Sequence, residues 1–296
     1  MGVALLVLLG SSGCGTGTAE DDPPGTAVDA PPAAASSSVP APTPAPAGAA
    51  DAGASPAVAP PPASFWRPEA GTTWQYQLDG SLDLSVDADV YDVDWEDTTA
   101  DRVQQLHAAG RRVVCYVNAG AYEDWRPDAG DYPADVLGDP LDGWDGERWL
   151  DVRRLDVLLP IIAARMDVCR AKGFDAVEAD NVDGYSNASG FDLSSEDQIR
   201  FNTAVARLAH ERGLSVGLKN DVEQVAVLEP SFDFAVNEEC LAYDECQEYR
   251  PFLDAGKAVL HVEYTPPTPQ WCAAIDSFGL SSIFKDLDLG ADLQRC

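Results

Sequence analysis

The residues with the plainest chemical potential are acids, and they recur in one setting, directly at the ends of short apolar runs. Asp92-Val93-Asp94 closes one run and Glu178-Ala179-Asp180-Asn181 closes another. Lys219-Asn220-Asp221, Asn237-Glu238-Glu239, Glu263-Tyr264 and Lys285-Asp286 repeat the arrangement, and a further run ends on Asn118. One such cluster is a solvated loop, whereas seven in succession point to a cup lined with carboxylates. Carboxylates that face each other across a cup suit cleavage of a glycosidic bond. One acid protonates the leaving oxygen while a second attacks the anomeric carbon or activates water. Trp66, Trp74, Trp95, Trp125, Trp144 and Tyr185 carry flat apolar faces of the kind on which sugar rings stack, although a given Trp more often serves packing.

The elements that must position these residues alternate along the chain. Eight strands are expected, over 74–78, 90–94, 113–117, 174–180, 215–220, 232–238, 258–264 and 282–287. Between them, 156–172 carries Leu158, Ile162, Met166 and Cys169 on one helical face and stops at Gly173. A second helix over 195–212 opens with a Ser195/Gln198 capping box, turns Ile199, Val205 and Leu208 inward and ends at Gly213. Strand–helix alternation implies parallel pairing, and eight strands suit a single (β/α)8 TIM-type barrel of about 250 residues. Function then collects at the C-terminal ends of the strands, where the acids are. An open doubly wound sheet is the alternative, but the Gly-rich phosphate turn that usually marks one is missing after the first strand.

Other motifs carry less. Gly213-Leu214-Ser215-Val216-Gly217 matches the serine-hydrolase pattern but enters a strand, whereas a nucleophile elbow leaves one. Asp180-Asn181-Val182-Asp183-Gly184 resembles half a calcium loop without the ladder of ligands. There is no Cys-x-x-Cys, and His107, His210 and His261 are scattered, so neither a metal nor any other cofactor is expected.

The 296 residues hold 19 Lys and Arg against 50 Asp and Glu, a formal charge of −31. Residues 15–64 are almost wholly Ala, Pro, Ser, Thr and Gly, with no aromatic or basic residue, so a disordered linker is expected there. Its acids are Glu20, Asp21, Asp22, Asp29 and Asp51, which leaves the domain expected over 65–296 at −26. A field of that sign repels nucleic acid and anionic lipid and attracts cations. Residues 1–14 read as a signal segment: the apolar run in MGVALLVLLGSSG is too short to span a bilayer, and Ser-Ser-Gly-Cys14 resembles a lipobox. A surface protein anchored through acylated Cys14 is expected, with plain secretion as the alternative. The other six Cys suit disulfides in an exported chain, first Cys240 with Cys246 across a short loop, then Cys272 with Cys296. For Cys115 and Cys169, free core thiols and a bridge stand equal.

The blocks VVCYVNAGAYEDWRPD (113–128), GWDGERWLDVR (143–153), KGFDAVEADNVDGY (172–185), GLSVGLKND (213–221) and NEEC (237–240) resemble glycoside hydrolase family 114, from about Phe65 to the C-terminus. Two positions depart from it: Ala179 stands where the family commonly has Pro, and Glu239 where Gln is common. The resemblance implies a (β/α)8 barrel, and an endo-acting hydrolase of α-1,4-linked, galactosamine-rich and therefore cationic polysaccharide. It also implies that Asp180 and Glu238 are catalytic, here taken as nucleophile and general acid/base of a retaining reaction. Asp92, Asp94, Trp125, Arg126, Glu178, Asn181, Tyr185, Lys219, Asn220, Glu239 and Glu263 are expected to touch substrate. The protein is expected to be a monomer whose only membrane contact is the lipid. A carbohydrate-binding lipoprotein that kept the barrel without turnover is the competing reading.

Overall fold

Each of the eight expected runs forms a strand, and the eight pair in parallel in one sheet that curls into a ring. The computed structural model describes residues 65–296. The expected signal segment, Cys14 and the 15–64 linker lie outside the described residues. In chain order the strands are β1 (Trp74–Gln77), β2 (Val90–Asp94), β3 (Arg112–Asn118), β4 (Ala121–Glu123), β5 (Leu137–Pro140), β6 (Glu147–Leu150), β7 (Ala176–Asp180), β8 (Ser215–Lys219), β9 (Phe234–Glu238), β10 (Val259–Glu263) and β11 (Ser281–Phe284). The helices are α1 (Ala100–Ala108), α2 (Leu155–Lys172), α3 (Ser195–Glu211), α4 (Val225–Leu228), α5 (Arg250–Asp254) and α6 (Pro269–Phe278). The ring runs β1-β2-β3-β7-β8-β9-β10-β11.

The seam between β1 and β11 is closed by side chains and by the C-terminal segment. Trp74 Nε1 donates to Ser281 O at 2.8 Å, and Leu78 N to Leu289 O at 3.0 Å. Lys285 Nζ holds the segment in place through Gln75 Oε1, Gly290 O and Asp292 O. Burial, only partly opposed by nearby acids, lowers that amine to about 8.

Strand alternation sorts the side chains into two layers. Trp74, Tyr76, Val90, Val114, Ala176, Phe234, Val236, Leu260 and Ile283 fill the inside of the ring. Gly217 leaves room there: a Cβ would meet the Phe234 ring at 2.5 Å. Val93, Cys115, Val177, Val216 and Ala235 face outward onto Val103, Leu158, Ile162, Met166, Phe201 and Val205 of the helices. Burying two apolar layers in this way is what makes the ring stable.

The structure refines three expectations. The capping box of α3 is Ser194 with Asp197, one residue earlier than expected, and Ser194 holds Asp197 at about 2. No helix separates β1 from β2, so the alternation is incomplete at its start. All six described cysteines pair, Cys240 with Cys246 and Cys272 with Cys296 as expected; Cys115 of β3 also meets Cys169 of α2, with Cα atoms 6.1 Å apart. Cys240 and Cys246 lie close to His261, with both sulfurs committed to their bond.

A small antiparallel sheet, β4-β6-β5, interrupts the path from β3 to α2. Two buried arginines clamp it to the ring. Arg126 bonds Asp94 at 2.6 Å and Glu123 at 2.7 Å, while Arg165 of α2 holds Asp128 at 2.7 Å and Glu123 at 3.1 Å. Gly120 is required here, because any Cβ would lie 1.7 Å from Asn181 O.

The chain enters the ring at the other end. The Phe65 ring stacks on His210, Arg67 pairs with Asp233 at 2.9 Å, and Arg112 covers the Trp66 ring.

Candidate active site

A cavity of about 720 Å³ opens at the C-terminal mouth of the ring, with the small sheet as one wall. Its volume lies within the range of small-molecule sites. Ten acids line it (Asp79, Asp94, Asp97, Glu123, Asp142, Glu147, Asp180, Asp183, Glu238 and Asp288) against two cations, Arg126 and Lys219. Both cations are already engaged with acids.

Lys219, 2 % exposed at the end of β8, organises the floor. Its Nζ stands 3.1 Å from Glu178 Oε1, 3.1 Å from Asp180 Oδ1 and 3.4 Å from Glu238 Oε2. Burial works against the ammonium, but Asp180, Glu178 and Glu238 outweigh it and hold the amine above its ordinary range. Asp180 and Glu238, 58 residues apart in sequence, are thereby joined through one nitrogen. Each carboxylate also has its own tyrosine. Tyr116 Oη donates to Asp180 Oδ2 at 2.6 Å, and Tyr264 Oη donates to Glu238 Oε1. Burial first, then the adjacent acids, raises the Tyr116 and Tyr264 phenols, so both remain protonated donors. Asn181 N donates to Asp180 Oδ1 at 2.8 Å, and Asn220 Nδ2 to Glu238 Oε2 at 3.3 Å.

The residues immediately after three of these groups share an uncommon backbone. Asn181, Asn220 and Glu239 have φ of 58°, 47° and 65°, in the left-handed region. Such residues cost about 1–3 kcal/mol outside glycine and cluster at functional sites. Here each makes the chain turn sharply once the functional side chain has been delivered to the mouth.

Asp94, Trp125, Arg126, Asp180, Asn181, Lys219, Asn220 and Glu238 line the cavity, as do Trp144 and Glu147. Trp125 and Trp144 are each 53 % exposed, so two large apolar faces stand open at the wall. The other tryptophans expected there are spent elsewhere. Trp74 is inside the ring, Trp95 lies under Arg126 and Arg165, and Trp66 is at the opposite end.

Other expected contacts lie off the wall. Asp92 and Glu178 are wholly buried below the floor, where burial raises both carboxyls; Lys219 pulls Glu178 partly back. The charge of Glu178 adds to the rise at Asp92, and Glu178 Oε1 accepts from Tyr76 Oη at 3.1 Å. Glu263 points outward from the ring, where its Oε1 accepts Leu241 N at 2.8 Å and faces His261. Tyr185 donates to Glu223 at 3.1 Å, and neither Tyr185 nor Glu239 lines the cavity. Sequence reasoning missed Tyr76, Tyr116, Tyr264, Glu123 and Glu147. The first three carry a legible signal, because they fall at strand ends in phase with the functional acids.

Paired carboxylates at the mouth of an acid-lined barrel suit hydrolysis of glycosidic bonds. The chain belongs to glycoside-hydrolase family GH114, whose model matches residues 55–296. It is similar to Ega3 of Aspergillus fumigatus, solved in complex with galactosamine, at 38% identity and a TM-score of 0.74 over 78% of this chain and 97% of that one. The glycoside hydrolase domain of PelA from Pseudomonas aeruginosa shares the fold at 14% identity, with a TM-score of 0.58 over 75% of this chain and 96% of that one. No curated protein matches the chain.

Proposed function

We propose that the enzyme is an endo-acting hydrolase of α-1,4-linked, galactosamine-rich polysaccharide, with Asp180 as nucleophile and Glu238 as general acid/base in a retaining reaction. The observation that carries this reading is the shared Lys219 ammonium, which sets the two carboxylates on either side of one nitrogen. Retention calls for carboxyl groups about 5–5.5 Å apart and inversion for about 6.5–9.5 Å; a single ammonium in reach of both carboxylates supports the closer pair. The Asp180 oxygens meet only donors, as suits a group that attacks as an anion.

In the first step an Asp180 oxygen bonds to the anomeric carbon while the glycosidic C–O bond breaks, and Glu238 gives its proton to the departing oxygen. In the second, water attacks the anomeric carbon and gives its proton to Glu238, and the bond to Asp180 breaks. Lys219 and Tyr116 stabilise Asp180 as it leaves with its charge restored.

The lining, ten acids against two engaged cations, supports a polycationic substrate. The complex of the similar Ega3 with galactosamine supports the sugar. Three disulfides support export to an oxidising compartment, and no helix among the described residues is long and apolar enough to cross a membrane. On this reading the protein is exported as a monomer and held at a surface by acylated Cys14, with 15–64 as the tether of the domain 65–296.

Incubation with galactosamine-rich, glucosamine-rich and neutral α-linked polymers, followed by product sizing and NMR of the first-formed anomer, tests the reading. The expected result is mid-chain cuts in the galactosamine polymer alone, with α-anomers appearing first. Binding without cuts would instead support the non-catalytic lipoprotein, and β-anomers would overturn retention.

A further inference from the structure

We propose that Glu147 binds the 2-ammonium group of the sugar unit that reacts at Asp180, so that the enzyme selects free galactosamine over N-acetylgalactosamine at that position. This rests on the substrate class proposed above and assigns its discrimination to one residue of the small sheet.

Glu147 opens β6, and its partner across the antiparallel ladder is Glu123 of β4. Like charges directly opposite each other on a strand pair are destabilising. The fold neutralises only one member. Arg126 and Arg165 both bond Glu123, whereas among the described residues Glu147 forms no ion pair. Its one side-chain hydrogen bond comes from Asn118 Nδ2, at 3.0 Å to Oε2. Glu147 is 8 % exposed, and its other oxygen meets no protein donor on the cavity wall. A nearly buried acid held without a cation is costly unless a cation arrives from outside.

Its position decides which part of a substrate it meets. Asn118, which holds Glu147, also accepts from Asn181 Nδ2 at 3.1 Å, and Asn181 in turn donates to both oxygens of Asp180. Glu147 is therefore two amides from the group that attacks the anomeric carbon. In a hexosamine, the nitrogen-bearing carbon is bonded directly to that carbon. An ammonium there opposes the positive charge that develops on the ring in the transition state, and an adjacent carboxylate offsets the repulsion. An acetamide carries no charge and leaves Glu147 buried and unpaired.

The titration of Glu147 agrees with this role. Burial, then the charges of Glu123 and Asp180, raise its carboxyl to about 7, with Asn118 and Arg126 in opposition. An incoming ammonium reverses that cost, so binding and ionisation are linked.

The test compares wild type with Glu147→Gln, which keeps the acceptor for Asn118, on fully deacetylated and fully N-acetylated galactosamine oligomers. Wild type is expected to prefer the deacetylated oligomer, and the variant to lose about tenfold or more of that preference. Because the Glu147 carboxyl titrates near 7, the pH dependence of kcat/KM on the deacetylated oligomer is expected to differ between wild type and variant around that pH. Its thermal midpoint rises, because the charge opposite Glu123 is gone. An unchanged preference, or an equal loss on both oligomers, overturns the assignment. If wild type cuts neither oligomer, the substrate reading fails on its own. Calorimetric titration with galactosamine and N-acetylgalactosamine then decides the role of Glu147: tighter galactosamine binding that is lost in the variant upholds it, and equal binding in both proteins overturns it.

Discussion

Lys219 Nζ stands 3.1 Å from Asp180 Oδ1, and the same nitrogen is the only cation in reach of Glu178 and Glu238 among the described residues. Removing it leaves three acids together without a cation. Lys219→Met is expected to destabilise the fold by about 3–5 kcal/mol, the usual cost of breaking a buried ion pair from one side. Denaturant unfolding reads the loss. A variant as stable as wild type would show that these acids do not need the Lys219 ammonium to be accommodated.

The neighbouring acids Glu238 and Glu239 are separated by their backbone. Glu238 lines the cavity, while Glu239, at φ 65°, does not. Glu238→Gln is expected to cut kcat by about 10²–10⁴-fold, the usual contribution of a general acid. Glu239→Gln should stay within about threefold of wild type. Parallel kinetics on one galactosamine oligomer checks both, and the reverse order would move the proton donor to Glu239.

Ten acids on the cavity wall predict a salt dependence confined to charged substrates. Raising ionic strength from about 0.01 M to 0.15 M shortens the screening length from about 30 Å to 8 Å. The kcat/KM for the deacetylated polymer should fall across that range, while a short N-acetylated substrate should respond little. Equal slopes for the two would remove attraction of the polymer as the cause.

Buried acids also set the pH dependence of stability. Burial, then the charge of Asp183, raises Asp221 to about 9, and burial with the charge of Asp180 raises Asp183 to about 6. The folded chain keeps these protons where the unfolded chain has released them. The resulting stability is complete below the ordinary carboxylate range and is lost as pH rises through the folded values. The thermal midpoint is therefore expected to fall from pH 5 to pH 9, and Asp221→Asn should flatten the upper part of that slope. A midpoint that rises over the same interval would contradict the assignment.

The ring was legible because each strand alternates, or runs apolar, between turn residues, and because acids mark the strand ends. Depth within the ring was not. Glu178 and Asp180 lie on the same face of β7, so alternation sends both inward, yet only Asp180 reaches the cavity while Glu178 forms a lower layer with Asp92. Glu263 shows the opposite difficulty: it ends a strand, but it is out of phase with the inward-facing Leu260 and Val262. The small sheet left little periodic trace, since β4 has three residues and β5 pairs with a register shift. Glu147 was hidden with it, although its block stood out by family resemblance.

The N-terminal segment reaches the ring behind the working end, where Phe65 lies on His210 and Arg67 holds Asp233. A support, a fused partner or an anchor joined through that segment thus attaches to the rear of the catalyst. A large substrate that reaches the mouth therefore need not thread past the point of attachment.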